Sequence, residues 1–492
     1  MKKILTVFAA IAMLGMVSCQ PESKPEGTDD PSKDSPSSQD PTPSDDPSKE
    51  PEAPKSTECR LLALKAIVGS NQAVGTLYTD EDVPEYEFVY GEDEIDNFKA
   101  ARLVATISEG ATTNIEENET YDLIAGLTIT VTAEDGKTKR EYAVTSIEGV
   151  FETFCDQVWA RTATQANCTS LNNANTSGPI VAFAGVDKIV YVDGTVVDLE
   201  SAEKVGTLNM EGCKSDNFFN ISNDINGIVI AAASPEAPGD DIQSYYLYAW
   251  LDGYDKAPTL VYEQENEGPV GGGAYRYFSC GGDIFGDFVF NYISGAGEAP
   301  VLHNVFVVKD GDFEGVQWNE FYSEYKRADG NWGQMISPAS GDPNDWWFIG
   351  DSHGNNEGYH VYSRKGLDGE DKVLFGQVVD LGYGYADLEV NNQYGNYSAG
   401  NVRGFSFHGK AYVVASTTGW PDTYVTVQSA DPEDPIHYLM ETKQYAYAQC
   451  APSAAYVYDA ETDTGHIVMV TAGHDSHVPQ YVVRYDVTRE VL

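Results

Sequence analysis

The sequence predicts an all-β protein, and three observations carry that prediction. Residues 150–492 show almost no helical periodicity. Along them, a short apolar strand followed by an aromatic-rich strand recurs six times. Residues 58–149 alternate apolar and polar positions with period two, between turn-forming residues. The recurring pairs begin at positions 180, 227, 287, 346, 411 and 466, a spacing of about 45 to 65 residues that suits one four-stranded propeller blade. The expected architecture is a small immunoglobulin-like β-sandwich followed by a six-bladed β-propeller, with seven blades as the alternative.

The chain opens on Met1-Lys2-Lys3, and Ile4 to Val17 carries no charge and is mostly apolar. Such a stretch is too short to span a bilayer permanently and suits the apolar core of a secretory signal. Met16-Val17-Ser18-Cys19 follows and resembles a lipobox, with Met16 where Leu is usual. Residues 1–19 are therefore expected to be a lipoprotein signal peptide, with Cys19 as the lipidation site. Residues 20–57 are dominated by Pro, Ser, Asp, Glu and Lys. They cannot bury enough apolar surface to offset their ordering entropy, which predicts a disordered tether with a coil reach of about 35 Å.

Residues 58–149 read as strands at 61–68, 85–90, 101–107, 127–132 and 141–147. Leu127-Thr128-Ile129-Thr130-Val131-Thr132 alternates as a half-buried strand should, and Asp135-Gly136 is a hairpin signal before the returning strand. A sandwich of about 90 residues fits. The run Ile129-Thr130-Val131-Thr132-Ala133-Glu134-Asp135-Gly136, closed by Tyr142-Ala143-Val144-Thr145, resembles the ending of Ig-like modules found at the N-terminus of many Bacteroidota surface lipoproteins. Gly110-Ala111-Thr112-Thr113-Asn114 matches their pattern as well. The resemblance implies a spacer in an outer-membrane, lipid-anchored protein of the cell surface. It also implies a glycan as ligand and outer-membrane importer components as neighbours.

The formal net charge is −47. Two lysines in the leader, and ten acids against four bases in the tether, leave about −43 on residues 58–492. Such a surface repels nucleic acid and anionic lipid, so contact with a membrane is expected only through the lipid. It accommodates neutral ligands. Beyond Cys19, six cysteines allow fifteen disulfide pairings, and neither a CxxC nor a zinc-ligand spacing occurs.

Propeller geometry turns the repeats into a candidate binding face. The residues entering each inner strand, and the loops between second and third strands, share one end of the ring. Arg161, Arg276, Trp332 and Arg403 fall at the former positions; His353, Trp420, His474 and His477 fall in the latter. Aromatic rings stack on sugar faces, and arginine supplies directed hydrogen bonds. For each residue the competing reading is structural, an arginine paired inside the ring or a tryptophan packed between blades. Catalysis finds little support: no nucleophile elbow, phosphate loop or Cys/His signature occurs, and with 77 acids no carboxylate pair stands out. No cofactor and no metal site is expected. Asp459-Ala460-Glu461-Thr462-Asp463 reads as a hairpin turn rather than a calcium loop. The expected role is ligand binding, with a propeller glycosidase or lyase, or a protein-binding scaffold or adhesin, as alternatives.

The anchor is directly testable. Cys19→Ala should move the protein from the detergent phase to the aqueous phase in phase partitioning, or leave the leader uncleaved. Partitioning like that of the wild type would refute the lipid assignment.

Overall fold

The computed structural model describes residues 55–69, 71–79, 83–116, 118–168, 180–215, 218–234, 244–265, 278–294, 301–323, 336–352, 359–366, 373–374, 379–380, 402–418, 423–431, 438–444, 453–471 and 481–492. Lys55–Leu492 is one compact unit, and its described residues are all-β apart from a short helical turn at Glu92–Glu94 and Ile95–Phe98. Cys19 and most of the tether lie outside the described residues.

In the N-terminal part, strands form at Leu61–Val68, Glu85–Tyr90, Ala101–Ile107 and Leu127–Thr132, with the bounds that the alternation gives, and Lys139–Glu148 runs slightly beyond its expected limits. These strands belong to two sheets. Leu64, Phe88, Phe98, Ile129 and Val144 come from both sheets and the helical turn and fill one shared core. The Asp135-Gly136 turn closes as its chemistry predicts. Asp135 Oδ1 accepts from the backbone N–H of Lys137 and Thr138, and Gly136 takes φ +69°.

The rest consists of six four-stranded antiparallel sheets, the third of which gains a fifth strand, Val373–Leu374, at its edge. Their first strands are Val181–Phe183, Phe218–Asn223, Ser279–Gly282, Ile336–Pro338, Val402–Phe407 and Ser453–Asp459. Each sheet buries both faces. One core joins the first and second sheets through Val190 and Tyr248, and the next joins the second and third through Tyr245 and Phe306. Val305 with Trp347, Phe348 with Val413, and Phe405 with Ile467 mark the three that follow. A sixth core returns from the last sheet to the first, where Val468 meets Ile189. Burial on both faces explains why Val229–Ala233 is apolar throughout instead of alternating. Each large core side chain contributes about 1.5–3 kcal/mol by leaving water.

The sixth sheet is completed out of order. Its outer strand is Phe151–Thr162, from the start of the region, paired with Tyr481–Val491 from the chain's end. This corrects two expectations. The repeat spacing puts Arg161 before the inner strand of the first repeat, but it lies on the outer strand of the last sheet. The first strand pair, at 180–184 and 188–192, holds the first and second strands of its sheet, whereas the other five pairs hold second and third strands. Apolarity marks the middle strands most strongly, but the first sheet's inner strand is just as apolar and buried, so the cue falls one strand early there.

Neighbouring sheets approach to backbone contact at several points, among them the first and second sheets. Gly185 N–H donates to Gly227 O at 2.9 Å, and Gly227 has φ +79°. A Cβ there would lie 2.4 Å from Gly185 O, so the contact admits glycine alone.

Candidate functional site

The centre of the cycle is built from polar groups on the six first strands. Those strands are short, and their inward edges leave backbone groups without a ladder partner. Side chains supply the partners at every junction. Asn223 Oδ1 accepts from Phe183 N–H at 3.0 Å, joining the second sheet to the first. Asn220 Oδ1 accepts from Phe278 N–H at 2.9 Å, and Ser279 Oγ donates to Ile336 O at 2.6 Å. Ser337 Oγ accepts from Gly404 N–H at 2.9 Å, and Tyr456 Oη donates to Ser406 O at 3.2 Å. Ser453 Oγ accepts from Ile180 N–H at 2.8 Å, bringing the sixth sheet back to the first.

Arg403 crosses this centre. It stands on the first strand of the fifth sheet and is 7% exposed. Its Nη1 donates to Ser222 Oγ at 3.1 Å and to Cys280 O at 2.8 Å, and its Nη2 donates to Asn223 O at 3.0 Å. One guanidinium therefore ties the fifth sheet to the second and third. Asn223 Nδ2 reaches across in turn, donating to Tyr456 O of the sixth sheet at 2.7 Å. A planar fork with five donors suits a site that offers several carbonyls and a hydroxyl at fixed positions.

Two buried titratable groups, Asp224 and Cys280, adjoin the fork, and a third, His303, is buried elsewhere in the third sheet. Asp224 is fully buried, and burial pushes its carboxyl up to about 6 against the N–H groups of Ile228, Ile284 and Asn226, which favour the anion. Burial likewise pushes the Cys280 thiol up. In the third sheet His303 is fully buried, neither ring nitrogen has a hydrogen-bond partner, and burial brings its imidazole down to about 3. It is a neutral histidine throughout the physiological range. Among the described residues, no group of three or more His, Cys, Asp or Glu is arranged to hold a metal ion.

Of the residues expected to face a binding mouth, Arg161 and Arg403 are described. Arg403, expected just before an inner strand, lies within the first strand of the fifth sheet and turns inward onto backbone carbonyls. Arg161 lies over Trp159, its guanidinium carbon 4.8 Å from the ring centroid, and donates to the carbonyls of Glu200 and Ser201. With Trp159 Nε1 on Leu199 O at 3.1 Å, it clamps the last sheet to the first. The two arginines are not brought together. Arg276, Trp332, His353, Trp420, His474 and His477 lie outside the described residues. Residues 460–463 connect two strands as a hairpin turn, in which Asp459 accepts from Glu461 N–H and Thr462 Oγ1. Cys59, Cys155 and Cys280 are free thiols.

Sequence reasoning missed the serines and asparagines that make the junctions. Their signal was present, as polar residues within short apolar runs such as Asn220-Ile221-Ser222-Asn223, but it reads equally as loop.

No protein-family profile matches the chain, and neither does any curated protein. Among solved structures, a DUF4623 family protein from Bacteroides eggerthii is similar at 11% identity over 88% of this chain and 99% of its own, with a TM-score of 0.44. A protein of unknown function from Dyadobacter fermentans is similar at 10% identity over 68% of this chain and 99% of its own, with a TM-score of 0.37. A lectin from Burkholderia pseudomallei shows 11% identity over 84% and 96%, with a TM-score of 0.28.

The fork gives a prediction. Arg403→Lys keeps the charge but loses the planar set of donors, and should cost about 2–4 kcal/mol in chemical denaturation. A loss below about 1 kcal/mol would show that the centre does not depend on the guanidinium.

Proposed function

We propose that this chain is an outer-membrane lipoprotein of the cell surface, in which residues 58–149 are an Ig-like sandwich and the six sheets are the blades of a β-propeller. Its function is to bind a neutral extracellular ligand, a glycan, beside an outer-membrane uptake system. The anchor, the module and the importer rest on the sequence: Cys19, the tether and the 129–145 pattern.

One observation carries the binding reading: the unequal distribution of chain between the two ends of the sheets. First and second strands meet through turns of two to seven residues, 184–187, 224–228, 283–287, 339–345, 408–409 and 460–463, and the third-to-fourth-strand connections 199–203, 250–258 and 309–316 lie at that end as well. The opposite end receives both the connections between sheets and those between second and third strands. In the fifth sheet, Val402 pairs with Ala415 and Thr418 with Thr423, so the strand entry and the 419–422 connection share that end. The strands that flank segments 208–217, 266–278, 324–335, 353–358 and 472–480 begin or end on that side. Loops held by a rigid scaffold are where binding residues concentrate. These segments contain Arg276, Trp332, His353, His474 and His477, with Trp420 in 419–422. Arg403, bonded to Ser222, Asn223 and Cys280, serves the scaffold. The acidic surface favours a neutral ligand over an anionic one.

A glycan array probed with the anchor-free protein tests the reading. Binding to a neutral glycan is expected, and Trp332→Ala or Trp420→Ala should weaken it by about 1–3 kcal/mol with the melting temperature little changed. Substitutions that lower stability by about 3–5 kcal/mol and leave binding intact would instead make these tryptophans packing residues. Turnover of the bound glycan would favour the glycosidase alternative.

A further inference from the structure

We propose that residues 58–149 form a rigid stem locked onto the turn end of the six-sheet body, so that the loop end is held farthest from the point where the tether joins. The sequence suggested a spacer; the geometry points to a fixed part of the working unit. That the loop end binds ligand rests on the preceding reading, whereas the rigidity does not.

The lock is a buried charge cluster centred on Glu94, which is 4% exposed and sits in the helical turn after Glu85–Tyr90. Its carboxylate accepts Gly91 N–H at 2.9 Å within the stem and Arg489 Nη1 at 3.0 Å to each oxygen. His408 Nδ1 lies 3.2 Å from Glu94 Oε1, and His408 Nε2 lies 2.6 Å from Asp463 Oδ1. Asp463 also accepts from Tyr458 Oη at 2.7 Å and faces Arg489 Nε at 3.7 Å. Gln72 N–H, from the stem, donates to Tyr458 Oη at 3.4 Å. Two stem elements thus meet three regions of the body: the His408 hairpin, the 458–463 turn and the end of the last strand. Arg489 lies over Phe151, its guanidinium carbon 4.1 Å from the ring centroid.

Both carboxylates are kept ionised. Burial alone would raise them, but His408 and Arg489 outweigh it and hold Glu94 and Asp463 below the usual range. Removing one member would leave the others buried and uncompensated, so the cluster holds as a unit or not at all.

The covalent link has no slack. Only Gly149 and Val150 separate Lys139–Glu148 from Phe151–Thr162. Gly149 N–H donates to Tyr90 O at 2.9 Å, and Leu492 N–H donates to Val150 O at 2.8 Å. A Cβ on Gly149 would lie 2.4 Å from Val89 Cγ1, so the joint is packed as well as short.

Direction follows from strand order. The chain enters the stem at Ser56, which pairs with Asp135 and Glu134 beside the turn that begins Lys139–Glu148. The cluster lies at the other end of that strand, where Tyr90 is in register with Glu148. The strand is ten residues long, about 33 Å. His408 and Asp463 belong to first-to-second-strand turns, opposite the 419–422 and 472–480 connections. Tether, stem, turn end and loop end therefore follow one another in order.

Calorimetry on the full chain tests the lock. The wild type should melt in one transition. Glu94→Ala should release a separate stem transition on the order of 5–10 °C lower, while Asp96→Ala, an exposed neighbour, should change nothing. Two transitions in the wild type, or a single unshifted one in Glu94→Ala, would overturn the proposal. Should Glu94→Ala fail to fold, Arg489→Lys examined by hydrogen exchange serves instead. The Gly149 and Leu492 amides should then exchange at least about tenfold faster, and unchanged protection would refute the lock. Neither experiment reads glycan binding, so failure here leaves the binding proposal standing, and failure on the array leaves the stem.

Discussion

A cycle of sheets has to close on itself, and everything else in this molecule follows from how the closure is made. Six first strands converge on one axis, where their inward edges would otherwise bury unpaired N–H and C=O groups. Each such group would cost about 1–3 kcal/mol. Asn220, Asn223, Ser279, Ser337, Ser453 and Tyr456 each satisfy a backbone group across one of the six junctions, and Asn223 also reaches Tyr456 O. Arg403 then spans the centre and gathers the second, third and fifth sheets. The polar centre is the seam of the fold, and its side chains are committed to backbone partners before any ligand is considered.

Closure also sets where apolar surface goes. A sheet placed between two others has no solvated face, so stretches of its middle strands are apolar on both sides, as Val229–Ala233 and Phe288–Phe290 are. The seam between last and first sheets joins segments far apart in the chain, and it carries extra fastenings. Trp159 and Arg161 bond to carbonyls at Leu199, Glu200 and Ser201, and Arg484 pairs with Glu200 and Asp486. Such pairs are individually modest, but here they reinforce a core already formed by Ile189 and Val468.

The strands were largely legible because their burial is written as period and composition. Leu61–Val68 and Leu127–Thr132 alternate with one buried face, and the middle strands of the six sheets are runs of Val, Ile, Ala and aromatics. The first strands were harder to read. Phe218–Asn223 mixes Phe with Asn and Ser because it faces both a core and the polar centre, and no single period describes it. That Phe151–Thr162 completes the sixth sheet was hidden for another reason: strand pairing across more than 300 residues leaves no local trace. Arg403 stood out as a cation in an acidic chain, but the sequence could not say whether it faced a ligand or three buried acceptors. The Glu94 cluster was invisible, since its members are ordinary surface residues until the chain folds.

Native-state hydrogen exchange on the intact protein tests the closure most directly. The amides of Ile180, Phe183, Phe278 and Gly404 each donate to a junction side chain on a neighbouring sheet. If the six sheets form one cooperative cycle, all four should exchange only through global unfolding, with protection free energies that agree within about 1 kcal/mol. Exchange of Ile180 several orders of magnitude faster than Phe278 would show that the seam between the last and first sheets opens locally, and would contradict the account.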